Sequence, residues 1–272
     1  MAIKFVSSDL NGTLVHQHTM SDMIRIFKSK EDFEKADIIF KKQTRGTATM
    51  EEAFDVAGPL SKGITLRQAI EYTQNDMNYL NGFEEFLDFL ADKKINFVIN
   101  STGYTVTFYC IQEKFGADKI HGFIGNRLIF GLNGEENKKI SEKELKEKIQ
   151  NYFSDSDNTK NKEYDKIKAV GKVGIEIIND AAKTDLIQKY ISQHFKNISS
   201  GEIVHIGDTM DDSGGIFGIA KLGGLGIAFN YNKELENFLK KKIETENIRG
   251  KILFIDKKNE NSDLRHIIPH IK

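Results

Sequence analysis

The feature that most constrains this chain is the stretch FVSSDLNGTLV, residues 5–15. Ile3 to Val6 is a short apolar run suited to a buried strand. The run ends in Asp9-Leu10-Asn11-Gly12-Thr13. A small polar cluster with Gly just past a buried strand is where an α/β sheet opens its ligand crevice. A carboxylate there can act as nucleophile or metal ligand, which makes Asp9 a candidate for both. The same residue types also build ordinary strand-to-loop turns, and this stretch alone does not separate the two.

Three later stretches bear on that choice. INFVINSTGY, residues 95–104, reads as a second buried strand ending in Ser101, Thr102 and Gly103. Hydroxyls and unhindered N–H groups at the start of a helix suit an anion, and equally suit a simple N-cap. Lys183 opens the helical run KTDLIQKYI, where a lysine is ordinarily a surface residue. EIVHIGDTMDDSGGIF, residues 202–217, gives a strand from Glu202 to Ile206 followed by Asp208, Asp211 and Asp212. Three crowded carboxylates repel unless a cation offsets them, and hard oxygen donors favour Mg²⁺; a chance acidic turn is the alternative.

The remaining chain supplies the frame. GGLGIAFN (223–230), KILFID (251–256), HGFIGNRLIF and VGIEII (173–178) read as further strands. NGFEEFLDFLADKK (81–94) is an amphipathic helix with Phe83, Phe86, Leu87 and Leu90 on one face and Asn81 with Glu84 as a capping box. Alternating strands and helices imply α/β architecture with a doubly wound, mainly parallel, Rossmann-like sheet. Residues 16–80 are helical in character, with MEEAFDVA and ITLRQAIEYT as helices and GPLSKG and KKQTRGTAT as breaks. That is too long for a plain crossover and reads as an inserted helical subdomain. In residues 134–170, Lys, Glu, Asp and Asn dominate, and NYFSDSDNTKNKEYDK reads as an exposed loop with a solvated charged face. Within that segment Leu145, Ile149, Tyr152 and Phe153 fit one helix face, with Ser141 and Glu144 as its capping box.

Composition narrows the partners. A chain of 272 residues, 39% hydrophobic and without a long apolar run, has no membrane span. The first strand begins almost at once, which leaves no room for a signal peptide. One cysteine, Cys110, precludes an intrachain disulfide and suits a reducing cytoplasm; beside Tyr109 and Ile111 it reads as helix packing. A net charge of −1 gives no general pull toward nucleic acid or membrane.

In order, DLNGTLV, VINSTGY, Lys183 in AAKTDLI, and GDTMDD resemble the four motifs of the haloacid dehalogenase (HAD) superfamily, and most closely its phosphoserine phosphatase branch. GNRLIF and LGIAFN also read like that branch. The resemblance implies a HAD core (1–15 and 79–272), a helical cap domain (16–78) and, in 134–170, an extra charged insertion in the core. It implies a Mg²⁺-dependent phosphatase acting on a small phosphorylated metabolite. Asp9 would attack phosphorus and carry an aspartyl-phosphate. Asp9, Asp208 and the backbone carbonyl of Asn11 would hold Mg²⁺, with Asp212 supporting the metal shell. Ser101, Lys183 and backbone N–H groups near Leu10, Thr102 and Gly103 would hold phosphoryl oxygens.

Three departures modify that picture. The residue normally acting as general acid and base is Asp, and here it is Asn11, which cannot move a proton. The cap positions that would hold the amino and carboxylate groups of serine fall near His18 and Ala57, neither of which is the expected Glu or Arg. Arg45 is a candidate replacement anion binder. GDTMDD also stands where GDGAND is usual. The expectation is a phosphatase slowed by Asn11 with no special preference for phosphoserine. The alternative is a catalytically weak phospho-ligand binding protein or a phosphotransferase on the same fold.

Overall fold

The computed structural model describes residues 2–258 and 261–271. Phe5–Ser8 forms β1, four residues buried on both faces. Two parallel strands lie to one side, β2 (Asn96–Tyr104) and β3 (Gly122–Leu132), and β4 (Ile167–Gly174) closes that edge antiparallel to β3. On the other side β5 (Ile203–Gly207), β6 (Leu225–Tyr231) and β7 (Lys251–Lys257) continue in parallel. The order β4-β3-β2-β1-β5-β6-β7 is the expected doubly wound, mainly parallel sheet. The chain leaves β1 toward β2 and returns to its other side as β5, so a crevice opens beyond the carboxyl ends of these strands.

Burial alternates with the pleat. Val6, Phe97, Ile99 and Val204 join one apolar cluster, whereas Phe5, Val98 and Ile203 join another. Helices of the first half of the chain are α1 (Thr19–Phe27), α2 (Lys30–Thr44), α3 (Met50–Leu60), α4 (Leu66–Glu71), α5 (Phe83–Asp92) and α6 (Thr105–Phe115). Those of the second half are α7 (Glu142–Ser154), α8 (Glu163–Lys166), α9 (Ala182–His194), α10 (Ser213–Lys221) and α11 (Lys233–Thr245). Phe83, Phe86, Leu87 and Leu90 of α5 cover the first cluster, and Ile187 and Ile191 of α9 cover the second. Cys110 is fully buried on α6.

Helices α1 to α4 sit between β1 and β2, entered and left through paired backbone: Val15 bridges Tyr79, and His16 N–H donates to Asn78 O at 2.9 Å. At its far end this helical segment is tied to the sheet. Gly63 N–H donates to Ala169 O at 2.9 Å and Ala169 N–H to Ile64 O at 2.8 Å, which adds a short extended piece to the β4 edge. Arg67 of α4 reinforces the tie by donating to Asp165 Oδ1 at 2.8 Å and to the carbonyls of Asn161 and Thr159.

The structure corrects several local expectations. The strand expected at 173–178 runs instead from Ile167 to Gly174. Beyond it Asn126 Oδ1 takes the N–H groups of Glu176 and Ile177 at 2.8 and 3.0 Å, which removes them from the ladder. The face of residues 134–170 is not wholly solvated, since Leu145, Ile149, Tyr152, Tyr164, Ile167 and Ala169 are buried and the 156–166 turn receives Arg67. Asn81 and Glu84 form no capping box: α5 starts after Gly82 at φ 75°, with no side-chain cap. The closing tail fixes that conformation, because Leu264 N–H donates to Asn81 O at 2.8 Å and a Cβ on Gly82 would lie 2.5 Å from Asp263 Oδ1. Gly58, Pro59 and Leu60 of GPLSKG belong to the last turn of α3, so the break begins only at Ser61.

Candidate active site

The site forms where β1, β2 and β5 end. Asp9 follows β1 directly, its N–H held by Ile206 O at 2.9 Å. The chain then turns sharply at Gly12, φ 80°, where a Cβ would fall 2.2 Å from Asp208 Oδ2, so only Gly lets this loop approach that carboxylate. Thr13 Oγ1 donates to Asp208 Oδ1 at 3.1 Å, and Asn230 Nδ2 donates to Gly12 O at 2.6 Å. The loop is therefore stitched to the ends of both β5 and β6.

Lys183 sits in the first turn of α9 and is fully buried. Its Nζ donates to Asp9 Oδ1 at 3.2 Å and to Asp212 Oδ1 at 2.5 Å. The ordinary surface role of a lysine at a helix start does not apply here. Asp212 Oδ2 accepts the N–H of Asp208 at 3.1 Å, so Asp212 both counters Lys183 and shapes the loop after β5. A Cβ on Gly207 would lie 2.2 Å from Asp212 Cβ, so glycine is what lets this carboxylate fold back.

Ser101 is fully buried at the end of β2. Its Oγ accepts the N–H of Gly103 at 3.2 Å, and its hydroxyl favours the ionised form of Asp9. Thr102 lines the adjoining cavity. β2 continues to Tyr104 and α6 begins at Thr105, so Ser101 to Gly103 belong to the strand end and not to the helix N-terminus expected for them. Asn11 also faces the cavity, with Oδ1 accepting the N–H of Thr19 at 3.0 Å.

Charge dominates this pocket. Oxygens of Asp9, Asp208 and Asp212 lie within 4.8 Å of one another. Burial, opposed by Lys183 and helped by Asp212, pushes Asp9 up to about 6. Burial and the charges of Asp212 and Asp9 push Asp208 well above the usual carboxylate range. For Asp212 burial acts upward too, but Lys183 outweighs it and the group falls to about 2. Burial lowers Lys183, yet Asp212 and Asp9 reverse that and leave it firmly charged. One ammonium thus serves several carboxylates, and the excess negative charge with hard oxygen donors fits Mg²⁺.

The cavity measures about 400 Å³. Its floor includes Asp9, Asn11, Asp208 and Asp211, and its roof comes from His18, Phe40, Lys41 and Arg45. In the sequence Asp211 stands out only as part of the acidic turn. It lines the cavity, lies beside Gln43 of α2, which favours its ionised form, and is pushed up to about 7 chiefly by burial. The signal that could have found it was its place one residue before Asp212. Of the two positions expected to read serine, His18 lies in the cavity with its ring 4.0 Å from that of Phe40, whereas Ala57 is buried in α3 away from it.

The fold recurs in solved structures. A phospho-aspartyl intermediate analogue of phosphoserine phosphatase superposes with a TM-score of 0.68 over 100% of both chains at 20% identity. The chain has the haloacid dehalogenase fold. A HAD family hydrolase from Salmonella enterica gives 0.59 at 15% identity over 87% of this chain and 65% of that one. A phosphoserine phosphohydrolase-like protein from Francisella tularensis gives 0.59 at 11% identity over 99% and 100%. No family model and no curated protein matches the sequence. Among the described residues no helix is long and apolar enough to cross a membrane.

Proposed function

We propose that this chain is a Mg²⁺-dependent phosphatase of a small organic phosphate monoester, working in the cytoplasm through an aspartyl-phosphate on Asp9. The observation that carries the reading is a carboxylate at the end of β1 held 3.2 Å from a fully buried ammonium, beside two further carboxylates. A site built only to hold phosphate has no need of a nucleophile there.

In this reading Asp9 attacks phosphorus, the bond to the leaving alcohol breaks, and water later cleaves the acyl phosphate. Lys183 keeps Asp9 ionised, and with the Ser101 hydroxyl and the N–H groups near Leu10, Thr102 and Gly103 it holds phosphoryl oxygens. Asp9, Asp208 and the Asn11 carbonyl would hold Mg²⁺, with Asp212 behind them. The ion supplies charge neutralisation between two anions and polarises the phosphoryl group. Residues 16–78 act as the cap over this floor, and their roof residues exclude water.

Asn11 marks the limit of the chemistry. Its amide can donate a hydrogen bond but cannot protonate the leaving oxygen or deprotonate water. Turnover is therefore slow, and a phospho-ligand binding protein or phosphotransferase is the reading Asn11 favours as an alternative. A phosphatase screen with Mg²⁺ on this chain and on Asn11→Asp tests the choice. Hydrolysis by either, lost in Asp9→Asn, supports the enzyme; tight phosphate binding without turnover in both supports the binder.

A further inference from the structure

Gly12 joins two peptide units of the turn after β1. The unit before it carries the Asn11 carbonyl and is pinned at its other end, where Gly12 N–H donates to Val15 O at 2.8 Å. The unit after it carries the Gly12 carbonyl and the Thr13 N–H, which reaches Leu10 O only at 3.3 Å. With φ at 80° and no Cβ, Gly12 itself does little to fix the orientation of that second unit. A side chain from another strand fixes it: Asn230 Nδ2 donates to Gly12 O at 2.6 Å.

Asn230 suits the task. It is buried near the end of β6 with φ 52°, a left-handed backbone that Asn tolerates better than most residues. A carbonyl only accepts, so the amide must turn Nδ2 to Gly12 and Oδ1 away from it. Oδ1 then receives the Ser262 hydroxyl at 2.8 Å. Ser262 is itself buried, in a closing segment that also docks by other means: Leu264 and Ile267 lie fully buried in the apolar cluster of Leu10 and Leu14. Two residues past Asn230, Asn232 N–H donates to Asp208 O at 3.0 Å. The end of β6 thus grips both the loop that follows Asp9 and the loop that carries Asp208.

We propose that Asn230 is a positioning residue for the turn beside Asp9, and that Ser262 brings the closing segment, residues 261–271, into the same role. The proposal rests on Asp9 being the nucleophile of a phosphoryl site. Asn230 acts through Gly12: it fixes the peptide that leads from Gly12 to Thr13, whose hydroxyl meets Asp208 Oδ1 at 3.1 Å. Without that hold the peptide can rotate about Gly12 and carry Thr13 and the Asn11 carbonyl out of register with Asp9. A misplacement of about 1 Å at a reacting centre can cost about 10²-fold in rate.

Three variants of the full chain separate hydrogen-bond donation from packing. Asn230→Gly removes the side chain and keeps the left-handed backbone. Asn230→Asp keeps the shape but sets an oxygen against the Gly12 carbonyl. Ser262→Ala removes the hydroxyl behind Oδ1. Amide exchange of residues 10–15, read by mass spectrometry without ligand, should quicken about tenfold in Asn230→Gly, at least as much in Asn230→Asp, and less in Ser262→Ala. Exchange in β1 and β5 should not change. With Mg²⁺ and a nitrophenyl phosphate, kcat should fall in the same order, about tenfold or more for both Asn230 variants, while KM moves less than about threefold. A packing role alone predicts that Asn230→Asp matches the unaltered chain in both readouts. That result, unchanged exchange of residues 10–15 in both Asn230 variants, or a loss of Tm with kcat unmoved, overturns the proposal. Should the unaltered chain hydrolyse no ester, the phosphatase reading fails, and the order of exchange rates still decides whether Asn230 holds the turn.

Discussion

Asn11 Oδ1 accepts the backbone N–H of Thr19 at 3.0 Å, so the loop after β1 is tied to the first residue of α1. A carboxylate at position 11 would keep that bond with one oxygen and present the other to the cavity. Asn11→Asp therefore changes the chemistry without breaking the joint. Ester hydrolysis should rise by roughly 10²-fold or more where proton transfer limits the rate. The gain in the phosphorylation step alone should shrink for a nitrophenyl phosphate, whose leaving group needs no proton. With such a substrate the unaltered chain should accumulate phosphate on Asp9, visible by mass spectrometry after acid quench and absent in Asp9→Asn. Equal rates for both proteins with every leaving group would remove Asn11 as the brake.

Much of this site was legible because β1, β2 and β5 announce themselves as apolar runs ending in small polar residues. Asp9, Ser101 and Asp208 occupy those ends, and strand order alone brings them together. Asp211 and Gln43 were not legible, since their contact joins α2 to the turn after β5 across 168 positions of sequence that no periodicity links. Arg67 was missed for a related reason. Its partners are backbone carbonyls in a charged segment, and carbonyls carry no sequence signal. The misplaced edge strand shows the same limit: VGIEII has strand composition, but one side chain, Asn126, takes its N–H groups.

The acidic floor predicts a pH-dependent response to Mg²⁺. Asp9 near 6 and Asp211 near 7 lie above the ordinary carboxylate value of 3.8 in the fold. The folded chain therefore binds protons more tightly there than the unfolded one, and this cluster costs stability as pH rises from about 4 through 7. At pH 8 the cation relieves full repulsion, whereas at pH 5 it must first displace protons. The gain in Tm on adding Mg²⁺ should be larger at pH 8, at roughly 2–4 °C per kcal/mol for a chain of this size. Asp208→Asn should raise the metal-free Tm at pH 8 and abolish the gain. Thermal scans showing the same gain at both pH values, and in the variant, would contradict this account.

The tie between α4 and the 156–166 turn makes a mechanical prediction. The Arg67 side chain is 13% exposed while that of Asp165 is 47% exposed, so the ion pair alone is worth little and the bonds to Asn161 O and Thr159 O carry more. Arg67→Ala should cost about 1–2 kcal/mol and speed amide exchange in residues 156–166. Arg67→Lys should recover little, because an ammonium cannot reach three acceptors in one plane. The ladder from Gly63 to Ala169 should stay protected in both variants, since it is backbone alone. Hydrogen exchange read by mass spectrometry distinguishes a loosened turn from a generally weakened fold.

His18 sets part of the acid limit of stability. Burial lowers it to about 4 from an ordinary 6.5, against a smaller upward pull from Asp37. Its Nδ1 has no hydrogen-bond partner among the described residues, and its ring lies 4.0 Å from that of Phe40. The fold holds the neutral ring and the unfolded chain takes up the proton first. This contribution is complete above pH 6.5 and is lost as pH falls toward 4, up to about 3 kcal/mol. His18→Phe keeps an aromatic ring against Phe40, orphans no partner and cannot titrate. Its stability at pH 8 should match or exceed that of the unaltered chain, and its decline between pH 6.5 and 4 should be shallower. Urea denaturation across that range measures the difference directly. Parallel curves for the two proteins would mean that the proton enters elsewhere; the loss from Asp212, whose pairing with Lys183 holds it near 2, falls below pH 4 and lies outside that range.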